Sequence, residues 1–149
     1  MDAVIFDVDG TLADVATIRH YVAGENKNFE KFHAAASFVP PHDEVVALAA
    51  SLRSAGLAIL IVTSRKEKWR WHTETWLRKW EIEYDQLWMR PDSDQRRDVD
   101  VKRDILARIR STHTVILAID DNPNVIALWN SEKIPVVTWP GWEKQFEEA

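Results

Sequence analysis

Asp2-Ala3-Val4-Ile5-Phe6-Asp7-Val8-Asp9-Gly10-Thr11 decides the fold of this chain. Val4, Ile5 and Phe6 are β-branched or aromatic and uncharged, which predicts a short buried strand. Asp7 falls at the carboxyl end of that strand and Asp9 just beyond it. Gly10 permits a sharp turn, because glycine takes positive φ without steric cost. Open α/β sheets bind ligands outside the carboxyl ends of their strands. Two carboxylates fixed there point to a metal ion and a phosphoryl group.

The same pattern recurs outward from this stretch. Residues 57–62 are an unbroken apolar run, a second buried strand, ending in Thr63-Ser64-Arg65. Residues 84–89 predict a third strand leading to Arg90, and 114–119 a fourth ending in Asp120-Asp121. Residues 134–138 predict a fifth. Helices fall between them. Asp43 caps one over 43–55, with Val45, Leu48, Ala49 and Leu52 on one face and Gly56 as its stop. A charged helix covers 66–80. Another starts at Asp98 or Asp100, runs to about 110, and turns Val101, Ile105, Leu106 and Ile109 inward. Asn122 caps the last, with Pro123 at its first position and Ile126 and Trp129 inward. This alternation predicts one α/β domain over 1–149, a five-stranded parallel sheet with helices on both faces. Residues 12–40, with helices at 15–22 and 27–38 and a stop at Pro40-Pro41, predict a small helical flap over the site. A plain helical connection packed on the core fits the same residues.

Composition narrows the function. The chain has 149 residues, no cysteine and a net charge of -5. Disulfides and thiolate metal sites are excluded. The acidic balance argues against a surface gripping nucleic acid along its length, but not against a short or terminal nucleotide. No run reaches the roughly 18 uncharged apolar residues of a membrane span. The N-terminus enters the first strand directly, so no signal peptide is expected and a cytoplasmic location follows. Oligomeric state is not written in the sequence.

The chemistry lies at the strand ends. Asp7, Asp9, Asp120 and Asp121 are four carboxylates that would repel one another without a cation. Magnesium fits best, because it accepts a few carboxylates and keeps waters and a phosphate oxygen. Thr63 offers a hydroxyl and a backbone N–H to a phosphate. Lys102 sits in the first turn of its helix, against the helix dipole, a conflict that marks it for function. It can neutralise phosphate and hold a carboxylate nucleophile. Arg65 and Arg90 can grip oxygens in bidentate forks. Asp7 can attack phosphorus to form an aspartyl-phosphate. Asp9 can protonate the leaving oxygen and later activate water.

These residues give the chain a resemblance. Asp7-Val-Asp9-Gly-Thr11, Thr63, Lys102 and Asp120-Asp121 match, in order, the four motifs of haloacid-dehalogenase (HAD) superfamily phosphatases. That implies a Rossmann-like fold with a small cap. Val62-Thr63-Ser64-Arg65, Arg70-x-x-Thr73-x-x-Trp76, Met89-Arg90, Asp98-x-x-x-Lys102 and Ala118-Ile-Asp-Asp121 with Trp129 resemble the 3′-phosphatase domain of phage-type polynucleotide kinase. By that likeness Ser64, Arg65 and Arg90 meet substrate phosphate and Asp98 orients Lys102. The magnesium ligands would be the Asp7 side chain, the Asp9 carbonyl and Asp121, with Asp120 in support. No GxxxxGK[ST] is present, so phosphatase activity alone is implied.

Two rival readings accompany a phosphomonoesterase of nucleotide or polynucleotide ends: a phosphatase of a small metabolite such as a sugar phosphate, and an idle binding module. Five of the eight tryptophans lie between residues 69 and 88. Trp69, Trp76, Leu77 and Trp80 share one helical face and read as core. Trp71 is off that face and reads as an exposed ring able to stack on a base.

Overall fold

The computed structural model describes residues 1–139. The described strands are β1 (Asp2–Phe6), β2 (Ala58–Lys66), β3 (Gln86–Arg90), β4 (Thr114–Asp120) and β5 (Val136–Thr138). They form one parallel sheet in the order β3-β2-β1-β4-β5. The chain leaves β1 toward one edge, then crosses back to place β4 on the other side of β1. The crevice at such a reversal is where open sheets collect ligands. It lies between the ends of β1 and β4, the two strands that end in acids.

Helices α1 (Phe29–Ala35), α2 (Asp43–Ser54), α3 (Arg70–Lys79), α4 (Asp98–Ile109) and α5 (Pro123–Ser131) complete the fold. β1 divides its side chains between two cores, as a strand period of two requires. Val4 and Phe6 join Val45 and Ala49 of α2 and Trp76 and Leu77 of α3. Ala3 and Ile5 join Val101, Ile105 and Leu106 of α4 and Leu128 and Trp129 of α5. Both faces of the sheet are covered, so its strands read as continuous apolar runs. No helix among the described residues is long and apolar enough to cross a membrane.

Several boundaries differ from the sequence expectation. β2 runs on to Lys66, and its register against β3 shifts between Val62 and Lys66. Thr63, Ser64 and Arg65 therefore lie inside the strand at an irregularity, which re-aims side chains beside a site. Asp43 is the first residue of α2 rather than its cap; His42 occupies the cap without a side-chain bond. In α5 the buried positions are Val125, Leu128 and Trp129, with Ile126 only half-buried. Asn122 accepts from the Asn124 N–H at 2.9 Å and Pro123 follows at the first position. Gly10 has φ 85°, in the left-handed region the turn after β1 demands.

The 12–40 segment holds less helix than expected. A single 3-10 turn (Arg19–Tyr21) replaces the helix at 15–22, and α1 with a 3-10 turn (Ala36–Phe38) fills most of 27–38. Its two ends are joined by Asp14 N–H to Pro40 carbonyl (2.9 Å) and His42 N–H to Leu12 carbonyl (2.8 Å). Leu12, Val15, Ile18, Phe32, Ala36 and Val39 pack into the first core. The Trp76 indole N–H donates to the Val39 carbonyl at 2.8 Å. α1 stands above this stem, and Phe29 at its start is 55% exposed.

Candidate active site

One cleft of about 520 Å³ opens at the carboxyl ends of the strands. Asp7, Asp9, Thr63, Ser64, Arg65, Arg90, Asp98, Lys102 and Asp121 all line it. Residues far apart in the chain meet here because each ends or follows a strand of one parallel sheet.

Lys102 is buried at the centre. Its ammonium donates to Asp7 Oδ1 at 2.9 Å and to Asp120 Oδ2 at 3.1 Å. Burial opposes its charge, yet Asp120 and Asp7 outweigh that and raise its pKa above the ordinary lysine value. The lysine that opposes the dipole of its own helix is thus held by acids from two strands. Thr11 Oγ1 lies 3.2 Å from Asp7 Oδ2 and 3.3 Å from Asp121 Oδ1. One hydroxyl proton serves only one of them at a time.

The adjacent acids of β4 differ sharply. Asp120 accepts from Lys102, from the backbone N–H groups of Asp121 (2.8 Å) and Asn122 (3.1 Å), and from the Trp129 indole at 3.4 Å. Its oxygens are saturated. Asp121 Oδ2 is buried with no hydrogen-bond partner. Carboxylate oxygens of Asp7, Asp120 and Asp121 lie within 4.8 Å of one another. Burial pushes the Asp121 carboxyl up to about 10, and Asp7 and Asp120 add to the shift. Burial likewise lifts Asp7 to about 6, Asp120 adding and Lys102 pulling back. One cation among three close acids, with one oxygen unpartnered, makes a donor set that could hold a hard divalent ion.

The linkage has a definite sign. Carboxylates whose folded pKa is raised stabilise the metal-free protein at acid pH, and that contribution is lost as pH rises through the folded values. Metal binding must also displace the protons they hold. The melting temperature gained on adding magnesium should therefore be larger at pH 8 than at pH 6. Asp121→Asn should raise the metal-free melting temperature by roughly 2–8 °C, for about 1–2 kcal/mol, and abolish most of the magnesium response. Thermal unfolding with magnesium and with chelator checks both.

Asp9 points elsewhere. Its carboxylate takes a bidentate fork from Arg65, at 3.0 Å from Nε and 2.6 Å from Nη2. Burial works against its charge, but Arg65 prevails and holds it below the usual carboxylate range. Arg65 Nη1 is anchored on Thr73 Oγ1 at 3.0 Å, which itself donates to the Trp69 carbonyl. The resemblance assigned Arg65 to phosphate, whereas here the guanidinium engages Asp9. Arg90 is likewise occupied, donating to Ser64 and Arg96 carbonyls and, at 2.7 Å, to Asp98. Asp98 thus pairs with Arg90 rather than Lys102, and together they organise the 91–98 loop along the cleft.

Three residues here were given no part in the site by the sequence, which read Trp69 as core. Arg19, buried in the 12–40 segment, feels Asp121 and Asp14, and burial lowers its pKa despite them. The available signal was a single arginine in the apolar stretch 15–22. His33 and Trp69 both line the cleft. Trp71 is 70% exposed, as expected of it, yet is not among the cleft's lining residues.

Comparison with known proteins adds the lineage. A family model described as the polynucleotide kinase PNKP phosphatase domain matches residues 1–139. The proposed bifunctional polynucleotide kinase/RNA ligase of Autographa californica nuclear polyhedrosis virus is 29% identical over 138 residues, covering 91% of this chain and 19% of that protein. A chain in a Pnkp1/Rnl/Hen1 complex superposes with a TM-score of 0.79 at 27% identity, covering 92% of this chain and 45% of that one. The class C acid phosphatase of Bacillus anthracis shares the fold, with a TM-score of 0.70 at 13% identity over 95% of this chain and 68% of that one. The chain thus spans about a fifth of its viral relative and under half of the matched chain of the Pnkp1/Rnl/Hen1 complex. It belongs to the family of polynucleotide kinase phosphatase domains, phosphoric monoester hydrolases with the HAD fold.

Proposed function

We propose that this chain is a magnesium-dependent phosphomonoesterase that removes phosphate from the 3′ ends of polynucleotides through an aspartyl-phosphate. The observation that carries the reading is Asp7, buried beside Lys102, facing an Asp121 with one unpartnered oxygen. Magnesium would be held by the Asp7 and Asp121 side chains and by the Asp9 main chain, supplying charge neutralisation for phosphoryl transfer.

The protein's own groups divide the work. Lys102 and Thr11 fix the Asp7 carboxylate. One Asp7 oxygen attacks phosphorus, and the bond to the terminal sugar oxygen breaks as Asp9 donates a proton to it. Asp9 then takes a proton from water, whose oxygen displaces Asp7 and releases inorganic phosphate. To start, Asp9 must leave Arg65 and carry a proton. Departure from Asp9 would also free Arg65 for the phosphate, so one rearrangement serves both. Thr63 and Ser64 lie on the cleft beside them, and Ser64 Oγ is buried without a partner. Asp120 and Asp98 act through Lys102 and Arg90. Residues 12–40 serve as a small flap within one domain, leaving the cleft open to a polymer end.

A substrate panel tests the specificity. Phosphate release from a 3′-phosphorylated oligonucleotide should exceed that from the 5′-phosphorylated oligonucleotide and from a sugar phosphate. Preference for the sugar phosphate would keep the chemistry and reject the polynucleotide reading. No turnover of any of the three would favour an idle binding module.

A further inference from the structure

Resting on the polynucleotide reading above, we propose that Phe29, His33 and Trp69 form the seat for the nucleobase of the phosphorylated terminal nucleotide. The three rings make a continuous row on the wall of the cleft that holds Asp7. Phe29 and His33 stack at 6.4 Å with an interplanar angle of 27°, and His33 meets Trp69 at 5.6 Å. The row joins α1 to the residue before α3, so two elements build one surface. Its middle ring is close to the chemistry, for His33 feels the charges of Asp9 and Arg65. Its outer end is Phe29, 55% exposed.

The surroundings specify the ligand. A sugar phosphate presents no flat π face to a row of rings. A base does, because stacking on aromatic faces is a main source of affinity for single-stranded nucleic acid. Lys27, Lys66 and Lys68 line the same cleft. They are placed for the phosphodiester of the preceding nucleotide, the charge a polynucleotide end carries and a metabolite lacks. Lys68 is also paired with Glu30 of α1, which ties the row's two elements together. His33 Nδ1 is buried with no hydrogen-bond partner. Burial holds His33 down at about 4, so the ring is neutral at pH 7 and can stack without a charge. Trp69 thus takes the part that the sequence had pointed to in Trp71.

The test pairs substrate and protein changes in one cycle. The substrates are 3′-phosphorylated oligonucleotides with an intact terminal base or an abasic terminal unit, with a sugar phosphate beside them. The proteins are wild type, Phe29→Ala, Trp69→Leu and Trp69→Phe, each checked by thermal unfolding. Wild type should prefer the intact end by roughly five- to tenfold in kcat/KM, the low end of base–aromatic stacking. Phe29→Ala and Trp69→Leu should bring that preference close to one, chiefly through KM, and Trp69→Phe should keep most of it. Because Phe29 is exposed, its variant tests the seat without disturbing the core. An equal preference in wild type and Phe29→Ala would overturn the seat while the 3′-phosphatase reading stands. Wild-type preference for a sugar phosphate over both oligonucleotides would overturn that reading and the seat with it.

Discussion

Asp7→Asn is expected to lose phosphatase turnover by on the order of 10⁴-fold or more, the scale of removing a covalent nucleophile. The amide is nearly isosteric: its oxygen can still accept from Lys102, and its NH2 can donate to the Thr11 hydroxyl, both within 3.2 Å of Asp7. Packing is therefore unchanged. The change also removes one of three close buried acids, so the metal-free variant should be as stable as wild type or more so. Loss of rate without loss of melting temperature separates a chemical role from a structural one. Steady-state phosphate release and thermal unfolding, on the same preparations, measure the two. Comparable rates in wild type and variant would remove Asp7 from the mechanism.

Lys102→Met should produce the largest loss of stability in the site. It deletes the ammonium that bridges β1 and β4 and leaves Asp7 and Asp120 buried without it. Breaking such a pair from one side costs about 3–5 kcal/mol, or roughly 6–20 °C in melting temperature at this chain length. The loss should shrink toward acid pH, where Asp7 takes a proton. Adding Asp120→Asn to Lys102→Met should recover part of it, since the orphaned charge then disappears. Turnover should also fall, because the nucleophile loses its anchor. A Lys102→Met protein that melts like wild type at pH 8 would show that the cluster is held by other means.

The strand ends were legible because two local signals coincide there. Uncharged β-branched runs stop abruptly at acids or hydroxyls, and one parallel sheet gathers all such ends. Asp7, Thr63 and Asp121 reach the cleft by this rule alone, while Lys102 was marked by its conflict with the dipole of its helix. Partnerships were not legible. Nothing local in Arg65 announces that it forks onto Asp9 across 56 residues, or that Arg90 spends its donors on the 91–98 loop. A guanidinium offers five donors to whichever acceptor the tertiary structure presents. Trp69 illustrates the limit of periodicity. Spacing places it correctly on the inward face with Trp76, yet it sits at the helix's entrance, in a 3-10 turn, where that face opens onto the cleft. Residues 15–22 failed as a helix for a related reason. Their apolar spacing suits a helix, but burial of Val15 and Ile18 against the sheet fixes turns instead.

Asp120 and Asp121 show how structure separates adjacent, chemically identical residues. One is fully bonded and the other keeps a bare oxygen. Under the proposed function, that contrast suits the first to a supporting part and the second to a metal ion.

The most direct measurement is inorganic phosphate release from a 3′-phosphorylated oligonucleotide, with magnesium and with chelator. Metal-dependent release that chelator abolishes and magnesium restores is the predicted result. An equal rate in chelator, or no release from the 3′ end under either condition, would contradict it.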